Sequence, residues 1–178
     1  METIKVKLYS FNELKEDIKE KVIQDNNDIN VNYDWWDSTY YIFEEYGIKI
    51  KSFDLYRGHI DIQNILDWEE IAQNLKNNIS DDNYLCIDSL TFIRERDILI
   101  KELGSGNSLQ GYSVDYDNWD VYDDRIIEIE NAYKKYLQGG ILDHLKKEYE
   151  YLTSEEAIIE TLEANDYKFL KHGARWID

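Results

Sequence analysis

Ile48-Lys49-Ile50-Lys51-Ser52-Phe53-Asp54-Leu55-Tyr56-Arg57-Gly58-His59-Ile60-Asp61-Ile62 is the stretch on which the fold class turns. Ile48, Ile50, Phe53 and Leu55 recur at strand-like spacing. Arg57-Gly58 supplies a turn, and a second short strand follows around His59 to Ile62. Helical patterns flank this hairpin. Upstream, Asp34 is placed as an N-cap, Trp35, Trp36, Tyr40, Ile42 and Phe43 follow on the helix, and Gly47 ends it. Downstream, Asp67 to Asn77 reads as a short helix. A hairpin set among helices predicts an α+β fold, with a small antiparallel sheet packed against several amphipathic helices.

The rest of the chain extends that pattern. Thr3 to Tyr9 alternates Ile4, Val6 and Leu8 against Lys5 and Lys7, which predicts a half-buried strand. Ser10-Phe11-Asn12-Glu13 is a capping box, and Leu14, Ile18, Val22 and Ile23 stripe a helix running to about Asn27. Tyr84 to Leu103 fits one helix through Leu85, Leu90, Ile93 and Ile100, yet Thr91-Phe92-Ile93 fits a strand equally well. Gly104-Ser105-Gly106-Asn107-Ser108 reads as a flexible loop ended by Gly111, without the Gly-Lys-Ser/Thr close of a phosphate-binding loop. Tyr122 to Leu137 and Ile141 to Tyr151 read as two amphipathic helices separated by Gly139-Gly140. Thr153-Ser154-Glu155-Glu156 is a second capping box opening a helix to about Asn165, and Tyr167-Lys168-Phe169 reads as a final strand. The C-terminal half is therefore expected to be helix-rich. A single domain over 1–178 is expected, with Gly104–Gly111 as the place for any subdivision.

Composition restricts function more than any motif does. Thirty-eight acidic residues against twenty basic ones give a formal charge of −18, in a chain that is 43% hydrophobic and 14% aromatic. So much apolar material forms a core, and the carboxylates then sit on a fixed surface instead of a disordered tail. Such a surface repels nucleic acid and anionic membranes and attracts basic grooves, although acidity also serves solubility alone. No run approaches the ~18 apolar residues of a membrane span, and Met1-Glu2-Thr3-Ile4-Lys5 lacks a signal peptide's apolar stretch. Cys86, the sole cysteine, lies between Leu85 and Ile87 and reads as a buried structural thiol, so a cytoplasmic setting is expected. His59, His144 and His172 are scattered, no Gly-x-Ser-x-Gly elbow occurs, and neither a catalytic centre nor a cofactor is expected.

Four strings carry a resemblance. Leu8-Tyr9-Ser10-Phe11-Asn12-Glu13-Leu14, Ile29-Asn30-Val31-Asn32-Tyr33-Asp34-Trp35-Trp36 and Phe53-Asp54-Leu55-Tyr56-Arg57-Gly58 look like a family of small acidic proteins from bacteriophages and mobile elements. Glu148-Tyr149-Glu150-Tyr151-Leu152-Thr153-Ser154-Glu155-Glu156-Ala157 resembles it as well, while Gly58 to Ile65 departs from it. The resemblance implies no catalytic residues. By analogy it implies a counter-defence factor, for which an anti-CRISPR protein that binds a Cas nuclease is the concrete case.

Two segments qualify as binding surfaces. The first is Tyr112 to Asp124, with Asp115, Asp117, Trp119, Asp120, Tyr122, Asp123 and Asp124, continued by Glu128 and Glu130; Arg125 is its only basic residue up to position 130. Duplex DNA carries one charge per ~1.7 Å, so carboxylates at this density imitate phosphates, and interleaved aromatics fill apolar gaps or stack on guanidinium groups. The alternative is an acidic loop whose aromatics pack into the core. Asp115-x-Asp117 begins like a calcium loop, but Trp119 and Asp120 stand at its fifth and sixth positions, which argues against an EF-hand and leaves a looser hard-cation site open. The second surface is Asp34, Trp36 and Asp37, with Glu44 and Glu45 nearby. Adjacent tryptophans on a helix point about 100° apart, so one enters the core and the other lies at its boundary. The partner expected from both is a basic nucleic-acid-binding protein such as a Cas nuclease, with no direct contact to nucleic acid or membrane.

Overall fold

The computed structural model describes residues 6–79, 83–106 and 117–177, with side chains for all of these except 84, 87, 99–106 and 117–123. A 3-10 turn at Phe11–Glu13 precedes α1 (Glu16–Asp25) and α2 (Asp37–Glu45). The hairpin β1 (Ile48–Asp54) and β2 (His59–Asn64) follows, then α3 (Trp68–Asn78), α4 (Tyr84–Gly106), α5 (Asp117–Leu152) and α6 (Glu155–Ala164). Among the described residues a two-stranded antiparallel sheet and six α-helices make an α+β fold with a helix-rich C-terminal half. They gather into two compact units, one of Ser38–Leu145 and one of the residues up to Asp37 together with Lys146 onward.

In the Ser38–Leu145 unit the hairpin has the predicted turn. Asp54 accepts a hydrogen bond from the Arg57 amide at 2.9 Å, and Gly58 takes the left-handed conformation at φ +63°. Ile50 pairs with Ile62 and Phe53 with Ile60, and a bulge between Ile50 and Ser52 absorbs the odd spacing from Ile50 to Phe53. In a strand without the bulge, side chains three residues apart would fall on opposite faces. Gly47 ends α2 at φ +92°, and its carbonyl accepts from the Ile65 amide at 2.7 Å. A Cβ there would lie 2.7 Å from Leu66 Cδ1, so both conformation and space call for glycine. Asp67 caps α3 by accepting from the Glu70 amide at 2.9 Å, and Ile71, Ala72 and Leu75 form its buried stripe.

The ambiguity at 84–103 resolves as helix. Leu85, Ser89 and Phe92 are buried at helical spacing while Thr91 is exposed. Ser89 Oγ lies 2.6 Å from the Leu85 carbonyl, where it donates, and therefore accepts from the Tyr133 hydroxyl at 2.7 Å. Gly104 and Gly106, expected in a loop, belong to α4, and residues 107–116 lie outside the described ones. The expected break at Gly139-Gly140 does not occur, for α5 is continuous. Tyr133, Leu137, Ile141 and Leu145 are all buried, one every fourth residue, so a single apolar seam runs straight through the glycine pair. Each glycine costs a helix about 1 kcal/mol, against ~1.5–3 kcal/mol for each large apolar side chain buried.

The other unit has a core of Phe11, Leu14, Val22, Ile158, Leu162 and Phe169. Glu13 accepts from the Ser10 amide at 2.8 Å and its hydroxyl at 3.1 Å, as the capping pair predicted. The turn nevertheless stops at once, because Leu14 and Lys15 are extended, and α1 starts afresh at Glu16. The strands expected at Thr3–Tyr9 and Tyr167–Phe169 reduce to isolated bridges, Tyr9 with Phe169 and Phe169 with Arg175; Thr3 to Lys5 lie outside the described residues. The second cap is Ser154, which accepts from the Ala157 amide, one residue later than the capping box at Thr153 implied. Thr153 instead donates to the Tyr149 carbonyl at 2.8 Å. Buried Asn30 donates to the Leu152 carbonyl at 3.0 Å and accepts from Thr161 at 2.7 Å, tying the segment after α1 to both C-terminal helices of this unit.

Two glycine substitutions separate the demands of the backbone. Gly47→Ala is expected to destabilise the protein by on the order of 1–3 kcal/mol. Gly139→Ala, where a Cβ meets nothing within 4 Å, is expected to stabilise it by about 0.5–1 kcal/mol. Urea unfolding midpoints of the two variants check both signs.

Candidate partner-binding surface

The first acidic segment is mainly the beginning of a helix. Asp115 lies outside the described residues; α5 starts at Asp117, five residues before the expected start at Tyr122. Asp117, Trp119, Asp120, Tyr122, Asp123, Asp124 and Glu128 therefore occupy helical positions, and positions 117, 120, 124 and 128 share one face by spacing. Asp124 and Glu128 are exposed. Glu128 lines a shallow cavity of about 360 Å³ with Arg125 and Ile129 of α5 and with Glu95 and Ile98 of α4. That cavity thus holds the one basic residue of the segment.

The second surface belongs to the other unit. Asp34 does not cap α2, which starts at Asp37; residues 34–36 form the preceding turn, in which the Asp37 amide donates to the Asp34 carbonyl at 3.2 Å. The two tryptophans divide as expected, with Trp35 buried and Trp36 half-buried, while Asp34 and Asp37 are exposed. The rings of Trp35 and Trp36 meet edge to face with centroids 5.6 Å apart, and Trp35 also meets Tyr149 of α5 at 5.7 Å. Tyr149 was not singled out from the sequence, because the contact joins segments far apart in the chain. Glu44 and Glu45 are exposed on α2 and fall in the Ser38–Leu145 unit.

Titration is perturbed elsewhere. Burial pushes the carboxyl groups of Asp88 and Glu130 up; at Glu130 the charge of Arg96 opposes the shift and Asp67 adds to it. Arg96 pairs with Glu69. Burial also holds the Tyr133 hydroxyl protonated far above the phenol range, against the lowering effect of the hydrogen bond to Ser89. Asp88 and Glu130 line neither the cavity at Glu128 nor a second one of about 320 Å³ bounded by Leu66, Asp67, Glu69, Glu70, Gln73 and Asn74. Among the described residues no three His, Cys, Asp or Glu side chains are grouped to hold a metal ion, and no helix is long and apolar enough to cross a membrane. Cys86 is buried, while His59, His144 and His172 are exposed. What the arrangement offers chemically is exposed carboxylate beside aromatic surface. No family model, curated protein or solved structure matches this chain.

A carboxyl raised by burial binds its proton more tightly in the folded protein, so its charged form opposes folding above the folded pKa, and the penalty disappears as pH falls through it. Asp88→Asn is therefore expected to raise the melting temperature at pH 7, with the gain shrinking toward zero as pH falls into the carboxylate range. Melting curves of the two proteins between pH 7 and pH 3 check this.

Proposed function

We propose that this chain is a non-enzymatic counter-defence inhibitor of the phage type, an acidic mimic of nucleic acid that occupies the basic channel of a host nuclease such as a Cas effector. The observation that carries the reading is the density of carboxylates on the opening turns of α5, in a chain with a formal charge of −18. The mechanism is occlusion. Carboxylates pair with Lys and Arg side chains that otherwise grip phosphates, and aromatic side chains fill the desolvated centre of the interface. Electrostatic attraction of this kind speeds encounter and weakens with salt.

A second reading is an antitoxin-like or structural interaction module whose acidity is incidental. Ile98, which lines the cavity at Glu128, and Ile127 of α5 are exposed apolar side chains that favour it. That module binds through an apolar face and is little affected by salt.

A pull-down with the tagged chain from a nuclease-rich bacterial lysate, eluted with rising salt, separates the two. The expected result is a basic nucleic-acid-binding protein released at moderate salt. Replacing Asp117, Asp120, Asp123 and Asp124 together by Asn is expected to weaken that capture at least roughly tenfold. Undiminished capture by the fourfold variant would overturn the surface, and elution indifferent to salt would transfer the case to the interaction module.

A further inference from the structure

The last turn of α2 carries acidity that its own helix opposes. Glu44 and Glu45 close this helix, both are exposed, and no basic residue stands in its last turn. The carbonyls of a last turn are the negative end of the helix dipole, where a carboxylate is disfavoured and Lys, Arg or His stabilises. Among the described residues neither carboxylate takes part in an ion pair. Apolar side chains are exposed beside them. Tyr40 and Phe43 turn inward, onto Phe53 of β1 and His144 of α5, whereas Tyr41 is 64% and Ile42 42% exposed. Glu44 and Glu45 lie three and four residues after Tyr41, and Glu45 three after Ile42, the spacings at which helical side chains are neighbours. The Tyr41 hydroxyl donates to the Glu45 side chain, which restrains its ring.

We propose that this turn anchors a basic partner protein, with Glu44 and Glu45 pairing with its Lys or Arg side chains while Tyr41 and Ile42 fill the desolvated centre of the contact. The inference rests on the proposed function for the partner's charge and goes beyond it in assigning a surface on α2. An incoming cation does two things at once there: it pairs with the carboxylates and compensates the carbonyl end of the helix. The free chain lacks that compensation, so the partner relieves a charge arrangement that folding alone leaves unfavourable. Tyr41 is restrained before binding, which reduces the side-chain entropy lost when the partner covers it. The same face of a second copy presents the same carboxylates and is repelled, and nucleic acid is repelled likewise.

The test uses the full ¹⁵N-labelled chain titrated, at equal ionic strength, with octa-lysine and with an amphipathic lysine–leucine peptide carrying as many lysines. The amides of Tyr41 to Glu45 are expected to shift at a concentration of the amphipathic peptide at least roughly tenfold below that of octa-lysine. Tyr41→Ala with Ile42→Ala is expected to abolish that difference, and Glu44→Gln with Glu45→Gln to weaken both responses. The glutamine pair on α2 is also expected to raise the melting temperature by roughly 1–4 °C, because it relieves the helix end. Glu155→Gln with Glu156→Gln, the same change of charge in the first turn of α6, is expected to lower it. A lower melting temperature in the α2 pair, equal responses to the two peptides, or shifts confined to the amides of 117–128 would overturn the inference. So would shifts at Tyr41 to Glu45 that grow with chain concentration in the absence of peptide, which place a second copy on this face. A response at α2 without any basic protein captured from lysate leaves the anchor standing and removes the inhibitor reading; capture undiminished by the α2 pair removes the anchor alone.

Discussion

The Tyr133 hydroxyl has to be satisfied inside an apolar core, and the arrangement of the Ser38–Leu145 unit follows from how that is done. Its ring stacks on Phe92 at 4.3 Å and 12°, and meets Trp68 edge to face at 6.1 Å. Its hydroxyl reaches Ser89. One side chain of α5 thus fixes α3 and α4 together, since an orphaned buried hydroxyl would cost ~1–3 kcal/mol. Stacking sets how α4 lies along α5, and the hydrogen bond sets its rotation. Further along the same seam, Gln138 donates to the Ile60 carbonyl at 2.9 Å and attaches the hairpin to α5. Asn30 does comparable work in the other unit. In both, a single buried polar group chooses one packing from the several that apolar burial alone would accept.

The features legible in the sequence are those decided by local chemistry. The hairpin turn depends on a carboxylate and a glycine within four residues, and the start of α3 on an aspartate three residues from the amide it caps. Gly47 is legible for the same reason. Where a local signal competes with burial, burial wins. The glycine pair in α5 marks a break that its seam of buried side chains overrides. The capping pair at Ser10 forms as expected, yet the helix it opens ends at Leu14, a residue drawn into the core by Phe11, Val22 and their neighbours. Cap chemistry sets where a helix can begin and says little about where it must stop.

The candidate surface is less legible because it is assembled from contacts distant in sequence. Adjacent tryptophans point in different directions, which indicates that one is buried, although the pair stands in the turn before α2 and not on the helix. Nothing at positions 33–37 indicates that the buried ring rests on Tyr149. The acidic segment fails in the opposite way: its composition is conspicuous, but its helical conformation starts earlier than the apolar periodicity suggests, because the first turns of α5 carry too little apolar residue to register as a stripe.

Acidity in this chain has an ordinary structural use, and that use sets the standard for any functional reading. Glu16 and Asp17 stand in the first turn of α1, Asp37 in that of α2, Glu69 and Glu70 in that of α3, and Glu155 and Glu156 in that of α6. Each faces the positive end of a helix dipole, a contribution of ~0.3–1 kcal/mol that fades beyond the first turn. Asp124 and Glu128, exposed beyond the first turn of α5, lie outside the reach of that dipole, and Glu130 is shifted by burial in the direction that disfavours its charge. Acidity beyond the first turn therefore has no use in the helix dipole, and at Glu130 burial opposes it outright.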